Sequence, residues 1–200
     1  MVYIITGHYG AGKTNFATNL ALKLSESEKT AVCDLDVVNP YFRTADFKTL
    51  FEEHGIELLA SIYANTNVDT PAISFDLSRV VADGVTLVVD VGGDDEGAKA
   101  LGRYKDVFQN YEMLYVVNFR RYLTLTAEEA YNVMKEIEAA SGFSHTGIVN
   151  NTNLGEENTE AIFTASKSEA DRLSSISGLP VKYECTPENT RVYVKKIWNN

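Results

Sequence analysis

Residues 2–24 read VYIITGHYGAGKTNFATNLALKL: a β-branched apolar run, a glycine-rich turn and a segment of helical period in immediate succession. The turn GHYGAGKT fits G-x4-G-K-[ST] at Gly7, Gly12, Lys13 and Thr14, in the strand-to-helix setting that this spacing requires. The spacing has a physical reason. Glycines let the backbone turn with its N–H groups pointing inward, and the helix that follows adds the positive end of its dipole, so the turn becomes a preformed anion site. Lys13 then reaches the β- and γ-phosphates of a nucleotide, and the Thr14 hydroxyl is placed to ligate Mg²⁺. Gly7, His8, Tyr9, Gly10, Ala11, Gly12, Lys13, Thr14 and Asn15 are therefore the candidate nucleotide contacts. The competing reading is an ordinary turn whose lysine points into solvent.

The rest of the chain alternates short Val-, Ile- and Tyr-rich runs with longer segments of helical period, the pattern of an α/β protein. Six strands are expected, at Val2–Thr6, Thr30–Asp34, Val85–Val91, Met113–Asn118, His145–Asn150 and Val181–Cys185. Central runs such as TLVVDV lack polar alternation, as in a mostly parallel sheet covered by helices on both faces. Helices are expected at about 13–27, 42–54, 70–82, 95–109, 125–141 and 158–177. In the fifth, Thr126 and Glu129 form a capping box, Ala130, Val133, Met134 and Ile137 make an apolar stripe, and Gly142 ends it. Residues 60–72 are the least regular stretch, of a kind that often carries switching or partner contacts.

Two hundred residues suit a single nucleotide-binding domain spanning 1–200. Twenty-eight acidic against eighteen basic residues give a net charge of −10, which disfavours nucleic acid and anionic lipid. The adjacent basic pairs Arg120-Arg121 and Lys195-Lys196 read as solvated surface. No segment approaches a membrane helix and the first five residues do not form a basic leader, so the expectation is a cytoplasmic protein with no membrane contact. Cys33 and Cys185 stand alone, without metal-binding spacing, and read as small buried hydrophobes. His54 and His145 likewise read as structural or exposed. The acidic run at Asp94–Glu96 suits the start of a helix.

Carboxylates complete the candidate site. CDLDVVNP places Asp34 and Asp36 at the end of the second strand, and VVDVGG places Asp90 at the end of the third, the edge where α/β sheets hold ligands. Gly92 and Gly93 follow with backbone N–H groups that could sense a γ-phosphate. Together GHYGAGKT, DLDVVNP, VVDVGG, IVNNTN and a late TPEN resemble the P-loop branch of MinD and ParA ATPases, the nitrogenase iron protein, dethiobiotin synthetase and cobyrinic-acid amidotransferases. The resemblance runs from Met1 to about Arg191 and implies a three-layer P-loop NTPase fold that binds ATP and Mg²⁺. It implies that Lys13 and Asp36 are catalytic, Asp36 orienting the attacking water. It further implies that Thr14, Asp36 and Asp90 serve the metal, that Asn150 meets the adenine edge, and that Pro187 and Glu188 line the base pocket.

One departure stands out. The MinD and ParA type has GKGGxGKT, whose extra lysine reaches the partner subunit's nucleotide, whereas this chain has His8 there and Tyr9 where the type has glycine. Arg43, in NPYFRT, is a candidate replacement, because arginine clamps phosphate charge bidentately; a solvated arginine at a helix start is the alternative. VVNFRR and IVNNTN lack the aspartate that would read guanine, which favours ATP. Three functions follow: a Mg-ATP switch that hydrolyses slowly until it meets a protein partner or forms a homodimer, a small-molecule kinase or ligase resembling dethiobiotin synthetase, and a non-catalytic nucleotide-binding module. Lys13 and Asp36 together argue against the last.

Overall fold

The computed structural model describes residues 1–35, 47–59, 77–93, 95–153 and 160–186. The elements run β1 (Val2–Thr6), α1 (Lys13–Leu24), β2 (Thr30–Leu35), α2 (Lys48–Glu53), β3 (Glu57–Leu59), α3 (Leu77–Ala82), β4 (Thr86–Val91), α4 (Asp95–Gly102), β5 (Tyr111–Val117), α5 (Ala127–Ser141), β6 (Gly147–Asn150), α6 (Glu160–Ser177) and β7 (Val181–Glu184). The seven strands form one sheet in the order β3-β2-β4-β1-β5-β6-β7, and every pairing is parallel.

Alternation along each strand divides the core between the two faces of the sheet. Ile5 packs with Val32, Val88 and Leu114 against Phe16 and Leu20 of α1 and Phe51 of α2. One residue earlier, Ile4 joins Cys33, Val89 and Met113 on the opposite face, under Leu77 of α3 and Leu101 of α4. Tyr115, Val117 and Ile148 extend that face beneath Ala130 and Met134 of α5 and Leu173 of α6. Both faces being covered, β2 and β4 are buried along their whole length, which is why their sequences show no polar alternation. Each fully buried Ile, Leu or Val in these layers contributes about 1.5–3 kcal/mol of transfer free energy.

Small shifts at element ends such as those of α1 and β5 aside, three features differ from the sequence reading. Strand β3 was not expected, because three residues on the sheet edge, with Glu57 exposed, carry too short a pattern to register. Helix α4 stops at Gly102 instead of continuing to 109. A side chain at Gly102 would lie 3.0 Å from the Ser141 carbonyl of α5, so the two helices meet closely there and the chain departs in tight turns, with Tyr104 N–H donating to Leu101 O. The α5 capping box forms as expected, with Thr126 accepting from Glu129 N–H, and Gly142 closes the helix at φ 72°.

The third difference is at β6, which begins at Gly147 and not at His145, because His145 turns into a buried polar network. Its Nε2 lies 2.8 Å from Thr6 Oγ1 and its Nδ1 lies 3.1 Å from Glu138 Oε1. A neutral imidazole satisfies both, accepting from the Thr6 hydroxyl at Nε2 and donating from Nδ1 to the carboxylate. Burial holds the His145 pKa below its ordinary value, and the hydrogen bond from His145 brings Glu138 down to about 2. Both shifts act in the same direction. The unfolded chain takes up a histidine proton near pH 6.5 that the folded chain resists, so stability is complete above that pH and declines below it. Glu138 adds a second loss that begins near 4.5 and continues to about 2. Thermal melts should therefore be flat just above neutrality, below the range in which the unfolded thiols ionise, and fall progressively in acid, and the first part of that fall should shrink in His145→Asn. Melts of that variant with the parental slope would contradict this assignment.

Candidate nucleotide site

Strand register brings the candidate residues to one edge. Ile5 of β1 pairs with Asp90 of β4, and Asp90 pairs with Asp34 of β2, so the two carboxylates stand side by side next to the loop that leaves β1. On the other side of β1, β5 and β6 end together at the Val117–Asn150 pair. The chain leaves β1 in one direction toward β2 and β3 and later continues in the other through β5, β6 and β7, so the loop lies at the topological switch point of the sheet.

The loop needs its glycines. Gly7, Gly10 and Gly12 have φ of 147°, 75° and 86°. Space is short as well: a Cβ on Gly7 would fall 2.1 Å from the Val116 carbonyl oxygen, and one on Gly12 would fall 2.2 Å from Asn151 Nδ2. Ala11 N–H donates to His8 O at 3.1 Å, which closes the turn, and Gly12 starts α1 without a side-chain cap. The first amides of a helix have no intrahelical partner and point out of its end, toward the interior of the loop. Lys13 is buried and its Nζ donates to His8 O at 3.3 Å. A Cβ on Gly93, just past β4, would lie 2.7 Å from that Nζ and 2.9 Å from Tyr9 N. Gly93 thus lies close to both the lysine and the loop backbone. His8 is pushed below its ordinary pKa by burial and then by the Lys13 charge, which favours its neutral form.

The donors near Thr14 suit a hard cation. Thr14 Oγ1 donates to Asp90 Oδ2 at 2.7 Å, and Asp90 is 1% exposed beside Asp34 at 6%. A hydroxyl and a carboxylate held together at the mouth of a phosphate loop are the oxygen donors that Mg²⁺ takes, usually with retained waters. Among the described residues no group of three or more His, Cys, Asp or Glu could hold a metal by itself. Asp36, Arg43, Pro187 and Glu188 lie outside the described residues.

At the far end of the edge, a cleft of about 180 Å³ opens between β6, α6 and the end of β7, lined by Asn150, Thr152, Ser166, Lys167, Glu184 and Cys185 among others. Asn150 is on its wall, with Oδ1 accepting from Thr152 N–H and Oγ1 and Nδ2 donating to Ser166 Oγ. Burial pushes the Cys185 thiol up to about 12, so it is a packing group and not a nucleophile.

Two contacts to the loop were not anticipated. Asn151 Nδ2 donates to Ala11 O at 2.7 Å, tying the end of β6 to the phosphate loop across 140 residues of chain. Arg121, in the turn after β5, lies against Gly10. Nothing in the sequence around either residue signals this, because each contact depends on β5 and β6 lying beside β1, an order that local patterns do not encode.

An all-parallel sheet with this loop at the end of its central strand defines an α/β fold of the P-loop NTPase type. Solved structures share it. The cell division protein FtsY of Thermotoga maritima matches with a TM-score of 0.62 and 21% identity, over 94% of this chain and 62% of that one. Chloroplast FtsY of Physcomitrella patens matches with a TM-score of 0.58 and 16% identity, over 92% and 57%. The signal recognition particle 54 kDa protein of Aeropyrum pernix K1, solved in complex with GDP, matches with a TM-score of 0.59 and 17% identity, over 94% and 41%. The chain thus spans about 60% or less of the length of these structures. No family model matches the chain, and no curated protein is similar to it in sequence. Among the described residues no helix is long and apolar enough to cross a membrane.

Proposed function

We propose that the chain binds Mg-ATP at the loop between β1 and α1 and hydrolyses it slowly, as a cytoplasmic nucleotide-controlled switch of the MinD and ParA kind that answers to a protein partner or a second copy. The observation that carries this reading is the convergence of three elements: Lys13 Nζ at the loop carbonyl of His8, Gly93 packed against that ammonium, and Thr14 bonded to Asp90. Mg²⁺, held by Thr14 and through water by Asp90, would offset phosphate charge. In this scheme the loop amides and Lys13 bind and orient the phosphate chain, and Asp36 holds the attacking water. Catalysis of this type is mostly positioning and electrostatics, which makes a low basal rate the natural state. Because Gly93 and Tyr9 are in contact, the presence or absence of a γ-phosphate is communicated to the segment after β4.

The base takes the cleft at Asn150. With its oxygen committed to Thr152 and its nitrogen bonded once to Ser166, Asn150 contributes a donor to a base acceptor. Absence of a guanine-reading aspartate in IVNNTN favours ATP; the GDP in the Aeropyrum structure favours the alternative, GTP. Competition binding decides between them, with ATP expected to displace a fluorescent nucleotide at lower concentration than GTP. Asp36→Ala is expected to keep nucleotide affinity and lose turnover by at least about 100-fold; hydrolysis by that variant at the parental rate would remove Asp36 from the mechanism.

A further inference from the structure

The turn from Asn118 to Thr124, NFRRYLT, leaves the sheet beside the phosphate loop and is braced from within. Arg120 N–H donates to Asn118 Oδ1 at 2.9 Å and Arg121 N–H to Asn118 O at 3.1 Å. The buried Thr124 hydroxyl donates to Asn118 O at 2.8 Å, and Asn118 Nδ2 donates to Asn153 O at 3.1 Å. Within this frame Leu123 has φ 66°, the one non-glycine residue with positive φ among those described. A leucine in the left-handed region is strained and persists only where its surroundings impose it.

The bracing sets the backbone at Arg121, whose side chain is exposed. A methyl group on Gly10 would lie 3.6 Å from Arg121 Nε and 3.8 Å from Cζ, so the guanidinium stands close to Gly10 of the phosphate loop. Its charge is not spent on a carboxylate: among the described residues the ion pairs of Lys and Arg engage Lys48, Arg79, Lys99, Lys135, Arg172 and Lys182, and none engages Arg121. On a chain of net charge −10 this leaves an exposed guanidinium at the same loop that carries the buried Lys13, where His8 is held below its ordinary pKa.

We propose that Arg121 is a phosphate-binding residue that acts in cis: carried beside Gly10 by its braced turn, it donates to phosphate oxygens of the bound nucleotide and supplies a second side-chain cation to the site. The proposal rests on the nucleotide-binding reading above. A charge-assisted, multidentate contact of this kind corresponds to about 10- to 100-fold in affinity.

The test titrates the full chain with Mg-ATP and, separately, with inorganic tripolyphosphate. Arg121→Ala and Arg121→Gln should each weaken both ligands by that factor, Arg121→Lys should recover part of the loss, and the Tm of each nucleotide-free variant should stay near that of the parent. If the parent binds and Arg121→Gln binds equally well, Arg121 only packs on the loop and the proposal is overturned while the nucleotide site stands. A parent chain that takes neither ligand overturns the nucleotide reading and this proposal with it.

Discussion

Gly7→Ala is expected to lower the Tm by on the order of 10 °C, and the loss should be one of fold before it is one of binding. The added methyl would lie 2.1 Å from the Val116 carbonyl oxygen, with Gly7 at φ 147°. The obstacle is backbone inside a central strand, not the movable end of a side chain, so relief requires β5 to shift away from β1. Combining an unrelieved overpacking with a disfavoured backbone conformation gives about 2–4 kcal/mol, and for a chain of this size each kcal/mol moves Tm by about 2–4 °C. Gly12→Ala provides the contrast. Its methyl meets Asn151 Nδ2, a side-chain atom that can withdraw, at the expense of the bond to Ala11 O. A Gly7→Ala chain that melts with the parent would show that β1 and β5 are not packed as described.

Lys13→Ala is expected to weaken Mg-ATP by 100-fold or more while leaving the nucleotide-free Tm within a few degrees of the parent. The lysine is the one permanent side-chain cation that the loop's own sequence supplies, because burial and the lysine itself favour the neutral form of His8. A charged hydrogen bond contributes roughly 1.5–3 kcal/mol, and an ammonium facing two phosphates makes more than one. Equilibrium dialysis of the two proteins at equal concentration reads the difference directly. Retained affinity in Lys13→Ala would mean that the loop does not hold the phosphates.

The sheet was legible where strands were long and covered on both faces. TLVVDV and VYIIT carry their assignment in their composition, and Thr126 with Glu129 marks the start of α5 in four letters. Short and edge elements were not: ELL in β3 is below the length at which periodicity means anything. His145 belongs by composition to an apolar strand, and only its contacts with Thr6 and Glu138, on two other elements, take it out of that strand. The phosphate loop was readable because its chemistry is local, eight consecutive residues turning around one anion. Asn151 and Arg121 were not, since their meaning arises from strand order; the sequence around Arg121 reads as a solvated basic pair, and both arginines are exposed, but the nearness of Arg121 to Gly10 is visible only in the structure. The reading at Asp36, Arg43, Pro187 and Glu188 falls outside the described residues and stands on sequence alone.

Calorimetric titration of the whole chain with ATP in excess Mg²⁺, paired with a Tm measurement at millimolar nucleotide, addresses the central claim without any variant. Saturable binding of one nucleotide per chain is expected, with a rise in Tm that grows logarithmically with nucleotide concentration as linkage requires. No heat together with an unmoved Tm at millimolar ATP and GTP would contradict it.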